Sequence, residues 1–185
     1  MKIVQVNKYS CDFILKYGLK KQEPTFVYGL VDKDYVLVNG NSYDELKRQE
    51  LNIDILPLPL NIGGSLVVSQ GDIEIGILVP ESLGNETLIQ FVNLLMSFLQ
   101  DKGLSAEFNG NDILIDGYKV AGTAQITRNS FAYVACHISL NPNIELIQQI
   151  CTKKMEKTPK GLSEFGLTTE EITEFLIEWA REVNL

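Results

Sequence analysis

The reactive side chains of this chain gather in three short segments that carry glycine. Asn61-Ile62-Gly63-Gly64-Ser65 stands directly before an apolar run. Paired glycines let backbone N–H groups approach a ligand closely and can form an anion-binding hollow; they also make ordinary tight turns. Asp116-Gly117-Tyr118-Lys119-Val120-Ala121-Gly122-Thr123-Ala124 sets one lysine among small residues. In a pocket wall that ammonium would hold a carboxylate or phosphate, whereas on a half-exposed strand it is simply solvated. Asn109-Gly110-Asn111-Asp112 offers a carboxylate to a divalent cation, or is a polar turn. His137 is the only histidine. Set among Phe131, Tyr133 and Ser139, it reads as a packed, hydrogen-bonded core residue rather than a base. No Ser/His/Asp order, paired-carboxylate motif or phosphate-binding loop accompanies these segments.

The elements that must position them follow from hydrophobic periodicity and turn residues. Ser10 caps a predicted short helix through Phe13, Ile14, Leu15 and Tyr17, and residues 43–49 predict another. TFVYGLV, DYVLVNG, SLVVS and EIGILVP read as strands, while Pro57 and Pro59 confine LNIDILPLPL to an edge or a loop. Leu88, Phe91, Val92, Leu95, Phe98 and Leu99 recur at helical spacing, with Asn85 as the predicted N-cap and Gly103 as the stop. AEF, DILI, YKVAGTAQIT and FAYVACHISL predict four strands, the middle two joined by the Asp116-Gly117 hairpin turn. Strand alternation puts Lys119 on one face with Ala121, Thr123 and Gln125, and Tyr118, Val120 and Ala124 on the other. Asn141-Pro142 opens a helix through Ile150, and Thr168 with Glu171 forms a capping box before a helix over about 168–183. Strands in hairpins with helices between their groups predict an α+β fold: a mainly antiparallel mixed sheet with flanking helices, residues 1–185 forming a single domain.

Composition narrows the function classes. The chain has 185 residues, 45% hydrophobic and 22% charged, enough to bury a core without disulfide staples. Sixteen basic residues against twenty-four acidic ones leave a net charge of −8, and only Arg48, Arg128 and Arg181 are arginines. This balance argues against nucleic acid as a partner. The start lacks the apolar segment of a secretory signal, and the most apolar stretch, of about 12 residues, is too short to span a bilayer. Cys11, Cys136 and Cys151 are odd in number and widely spaced, so neither a disulfide framework nor a cysteine zinc site is expected, and the expected location is cytoplasmic.

Taken in order, these signals resemble the lipoate/biotin-protein ligase superfamily, in its lipoate-ligase and octanoyltransferase branch. The most specific match is NDILIDGYKVAGTAQITR, residues 111–128. It is similar to the family's Asn-Asp strand and the hairpin bearing its active-site lysine in a Lys-[Ile/Val]-[Ser/Ala]-Gly-[Ser/Thr]-Ala setting. His137-Ile-Ser-Leu-Asn141 resembles the family's His-Gly-x-Leu-Leu-x-Asn strand end, and Val36-Leu-Val-Asn-Gly40 its early strand. LNIGGSLVVSQGD occupies the place of the adenylate loop, and KTPKGLSEFGLTTEEITEFL that of the Lys-Gly segment and closing helix.

The resemblance implies a lipoate-ligase-like catalytic domain that attaches a lipoyl or medium-chain acyl group to a carrier-domain lysine. A ligase forms an acyl-AMP from lipoate or octanoate with ATP and Mg2+; a transferase takes the acyl group from an acyl carrier protein and needs neither. Lys119 would be the catalytic lysine. Gly63, Gly64, Ser65, Asn111, Gly122, Thr123 and His137 would surround substrate and nucleotide, and Asp112 would hold the metal. The departures are specific. Pro59, Leu60 and Ile62 stand where the family carries arginines, Ser65 replaces its third glycine, and Ser69 its histidine. Residues 50–117 hold ten acidic residues and one basic, Lys102, and lysine does not reproduce arginine's bidentate grip on phosphate. Cys151 lacks the Pro-Cys-Gly context of the octanoyltransferase nucleophile and reads as a buried helical cysteine. The alternatives are a binding protein on the same scaffold that has lost adenylation, or a subunit that needs an accessory chain. Lys153, Lys154, Lys157 and Lys160 offer a docking patch for an acidic carrier domain.

Overall fold

In a computed structural model of the chain, residues 1–6, 18, 20, 22–38, 46, 51–58, 66–151 and 157–183 are described. The predicted helix from Ser10 lies outside them, as does all of 43–49 except Leu46. Ten strands are described: β1 Lys2–Val6, β2 Thr25–Leu30, β3 Tyr35–Val38, β4 Asp54–Pro57, β5 Leu66–Val68, β6 Ile73–Pro80, β7 Ala106–Asn109, β8 Asp112–Ile115, β9 Tyr118–Arg128 and β10 Phe131–Ile138. Three helices accompany them: α1 Gly84–Asp101, α2 Ile144–Ile150 and α3 Thr169–Glu182.

Seven strands form one mixed sheet in the order β1-β2-β6-β10-β9-β8-β7, antiparallel except for the β1–β2 pair. A second sheet runs β4-β3-β5. Pro57 lies on β4, an edge strand, as its missing N–H demands.

Alternation along the strands explains the layers. Phe26, Ile75, Ile77, Val134 and Cys136 face α1 and α3, whose Phe91, Leu95, Leu176 and Trp179 fill that side of the core. Trp179 meets Phe26 and Phe91 edge-on, at centroid distances of 5.5 and 5.1 Å. Val27, Leu78 and Tyr133 face the other way and bury against Tyr35, Leu37 and Val68 of the small sheet. Leu146 and Ile150 of α2 cover that sheet's outer side, with Val36, Val38 and Val67.

Helix ends follow the sequence in part. Thr168 and Glu171 form the predicted capping box of α3, and Gly103 follows the C-cap of α1 with φ +78°. Asn85 is not an N-cap. A 3-10 turn over Glu81–Leu83 leads straight into α1 with Leu83 as cap, which frees the Asn85 side chain to accept a 3.0 Å hydrogen bond from Gln125 Nε2. The cap of α2 is Asn143, whose side chain accepts from Leu146 N–H, so the helix starts just after the expected Asn141-Pro142 opening.

Candidate active site

The site is built on the hairpin of β8 and β9, where Asp116 and Gly117 turn with φ +52° and +79°. Two residues on, the register shifts: Leu114 pairs with Lys119, but Ile113 pairs with Ala121. Val120 is the extra residue of a β-bulge, and it inverts the alternation beyond it. Lys119 therefore shares its face with Gly122 and Ala124. Ala121, Thr123 and Gln125, expected beside Lys119, point to the helix side. A period-2 argument assumes an unbroken strand, and this one is broken.

The bulge leaves backbone groups to other partners. Lys119 N–H donates to Thr158 O at 2.9 Å, Lys160 N–H to Lys119 O at 2.9 Å, and Ser139 N–H to Val120 O at 2.9 Å. The segment 157–161 is thus laid along the start of β9. Gly161 is required there, because a Cβ would overlap the Leu140 carbonyl.

Direct pairing aligns one residue from each of four neighbouring strands on the face toward the small sheet: Asp112, Gly122, His137 and Glu74. Lys119 reaches over Gly122, where a Cβ would stand only 3.4 Å from its Nζ. Its ammonium donates to Asp112 Oδ1 at 2.7 Å. Asp112 Oδ2 accepts from Lys157 Nζ at 2.9 Å, and Lys157 also donates to Asn109 O at 3.1 Å. Burial raises the Asp112 carboxyl, but the hydrogen bonds and charges of the two lysines outweigh it and hold the group below its ordinary value.

His137 Nε2 lies 3.0 Å from Asp72 Oδ2. Asp72 is fully buried and accepts two backbone N–H groups as well, from Ser69 at 2.9 Å and Leu140 at 2.8 Å. A cavity of about 340 Å3 opens beside this row. Asp112, Lys119, His137, Ser139, Lys157 and Pro159 line one part of it; Leu66, Val67, Ile147 and Cys151 line the other. An apolar wall ending at a fixed ammonium accommodates a hydrocarbon chain that carries an anionic head.

The predicted site residues thus divide. Lys119, Asp112, Gly122 and His137 come together. Thr123 lies on the opposite face, its N–H and hydroxyl both bonded to Asn111 O at 2.7 and 3.1 Å. Asn111 is exposed in the turn before β8. Gly63, Gly64 and Ser65 lie outside the described residues. Asp112 does not fit its expected role as a Mg2+ ligand, since both oxygens carry lysine ammoniums. Among the described residues no group of three His, Cys, Asp or Glu side chains offers an alternative.

Lys157 is the residue that sequence reasoning assigned elsewhere. It belongs to the site, and Lys160 stacks over the Tyr118 and Phe165 rings at 4.9 and 4.5 Å, so neither is a free member of a docking patch. Lys153 and Lys154 lie outside the described residues. Cys151 is exposed at the end of α2, against expectation, because the helix stops one residue earlier. Burial pushes the Cys136 thiol up to about 12 despite the nearby charge of Lys119. No described helix is long and apolar enough to cross a membrane.

Architecture and site together describe an α+β domain with a lysine, ion-paired to Asp112, on a bulged hairpin beside a partly apolar cavity. The chain belongs to the lipoyl protein ligase A/B catalytic domain family, which matches residues 17–182. It is 24% identical over 172 residues to lipoate-protein ligase LplJ of Bacillus subtilis (strain 168), covering 88% of this chain and 52% of that protein. The chain therefore spans about half the length of this curated relative. Among solved structures it resembles P. falciparum LipL1 in complex with lipoate, with TM-score 0.71 and 16% identity over 96% of this chain and 58% of the other. It also resembles a lipoate-protein ligase A bound with ATP, with TM-score 0.73 and 13% identity over 96% and 82%.

Proposed function

We propose that this chain transfers a lipoyl or medium-chain acyl group to a lysine on a carrier domain, through an acyl-adenylate made from ATP. The observation that carries this reading is the Lys119 ammonium, fixed over Gly122 where the apolar wall of the cavity meets its polar end. Family membership and the lipoate- and ATP-bound neighbours support the same substrates.

The chemistry asked of the site has two stages. The acyl carboxylate attacks the α-phosphorus of ATP, forming the mixed anhydride and releasing pyrophosphate. The carrier amine then attacks the acyl carbon, and the acyl–oxygen bond breaks with AMP leaving. Both stages develop negative charge on oxygens at the acyl–phosphate junction. A positioned ammonium stabilises such charge at no cost of reorganisation. Lys119 supplies it, and Asp112 holds that side chain in place. Lys157 adds a second positive charge, in a cavity whose lining among the described residues includes no arginine. The apolar wall orients the chain of the acyl group and excludes water from the anhydride.

Intact-mass spectrometry of a carrier domain incubated with the protein, ATP, Mg2+ and either lipoate or octanoate tests the reading. The acylated carrier should form, and Lys119→Ala should reduce its rate by at least about 100-fold, the scale of one lost oxyanion donor. Acylation at the wild-type rate in Lys119→Ala would remove Lys119 from the mechanism.

A further inference from the structure

The amine that receives the acyl group must lose protons, and neither lysine of the site is placed to take them. A lysine ordinarily titrates near 10.4, so at neutral pH the carrier side chain arrives as an ammonium and is no nucleophile. Lys119 and Lys157 are themselves hydrogen-bonded donors to Asp112, and both Asp112 oxygens are engaged. His137 remains. It stands directly across the sheet from Gly122, over which Lys119 lies, and its ring lines the cavity.

The hydrogen bonds behind the ring fix its tautomer. Asp72 accepts from Ser69 N–H, Leu140 N–H and His137 Nε2, so Nε2 carries the proton and Nδ1 of the neutral ring presents a lone pair. Among the described residues the hydrogen bond of the ring is the one from Nε2 to Asp72. A packed core histidine would have both nitrogens satisfied. We propose that His137, oriented by Asp72, is the proton acceptor for the attacking amine. This rests on the acyl-transfer reading above.

Of the two protons lost as the ammonium becomes an amide, the first passes to Nδ1 and frees the nitrogen lone pair. That pair forms the bond to the acyl carbon. The second proton goes to solvent as the adduct expels AMP with the electrons of the broken acyl–oxygen bond. The imidazolium then returns its proton to water. Asp72 on Nε2 and Glu74, the neighbour of His137 on β6, favour the imidazolium, while Lys119 and Lys157 oppose it and Asp112 offsets them. These are the charged groups that face the ring.

The test separates the two stages by supplying preformed octanoyl-adenylate with a carrier domain in single turnover. His137→Gln should slow acyl transfer by about 100- to 1,000-fold, the usual range for a general base, and abolish the acid limb of the pH–rate profile. Because His137 is the sole histidine, the imidazole 15N spectrum of an untagged protein reports this ring alone and should show the Nε2–H tautomer. Transfer by His137→Gln at the wild-type rate overturns the proposal, and so does a neutral ring with its proton on Nδ1, which decides the matter should the variant not fold. A wild-type protein that binds octanoyl-adenylate and transfers nothing instead overturns the acyl-transfer reading itself.

Discussion

Replacing Asp112 by Asn removes the one charge that holds two lysines together, and the geometry sets the size of the effect. Asp112 accepts from Lys119 at 2.7 Å and from Lys157 at 2.9 Å. The side chains are 21%, 39% and 24% exposed, in that order. A buried hydrogen bond to a charged group contributes about 1.5–3 kcal/mol and an exposed ion pair about 0–1. Each of these partly covered bonds therefore contributes about 1 kcal/mol. The amide keeps some hydrogen bonding but leaves the two ammoniums without a counter-charge, so the variant should lose about 2 kcal/mol. For a chain of this size that is a drop of about 4–8 °C in Tm.

The pH dependence of that gap checks its cause. The folded-state Asp112 carboxyl lies below its ordinary value of 3.8. Its contribution is therefore fully present above that value and lost as pH falls through the lower folded one. Thermal melts of wild type and Asp112→Asn should differ by a constant amount from about pH 7 to about pH 5, and the gap should narrow as pH falls below the ordinary carboxyl value of 3.8. Equal melting temperatures at pH 7, or a gap that does not narrow in acid, would refute the assignment of these bonds. Lys157→Met in the Asp112→Asn background should cost less than in wild type, since its partner charge is already gone.

Two further outcomes follow from contacts around the site. Gly161→Ala places a Cβ on the Leu140 carbonyl and forces apart the backbone that carries segment 157–161, so a loss of about 2–4 kcal/mol is expected in chemical denaturation; an unchanged midpoint would contradict that close approach. Iodoacetamide at neutral pH should label the exposed Cys151 and spare the buried Cys136, whose thiol is pushed up to about 12; peptide mapping that finds both labelled at similar rates would contradict the burial.

The sequence made the strands and their hairpins legible because alternating apolar residues and Asp-Gly turns act locally. The capping box of α3 was legible for the same reason. Long-range pairing was not. Nothing local in IEIGILVP says that it lies between β2 and β10, nor that His137 and Glu74 face each other across that seam. The run of lysines makes Lys157 look like part of a docking patch, and only the backbone bonds of 158–160 to Lys119 bring it to Asp112. Asp72 carried no signal beyond a polar turn, yet it receives His137 and two backbone N–H groups in a fully buried position. One sign was available: an acidic residue set directly before a strand as apolar as ILVP at its far end must find donors where that strand is buried, and the strand end bearing the sole histidine is where such donors were to be sought.

The bulge at Val120 shows why a correct list of residues did not yield a correct site. Without the extra residue, Ile113 would pair with Val120 and Asp112 with Ala121. Lys119 would still face the small sheet, but the next position on its face would be Ala121, whose Cβ would occupy the space through which the ammonium now reaches Asp112. With the bulge that position is Gly122, which has no Cβ, and the lysine can lie flat across the sheet with its Nζ 3.4 Å from where a Cβ would be. Val120 itself is driven into the helix-side core, 1% exposed, and that burial anchors the distortion. Its carbonyl is taken by Ser139 N–H, and the flanking Lys119 N–H and carbonyl by Thr158 O and Lys160 N–H, so these backbone groups at the bulge are paired. A glycine three residues after the lysine, rather than two, is therefore the sequence trace of the bulge, and it ties the reach of Lys119 to the pairing register of β8 and β9.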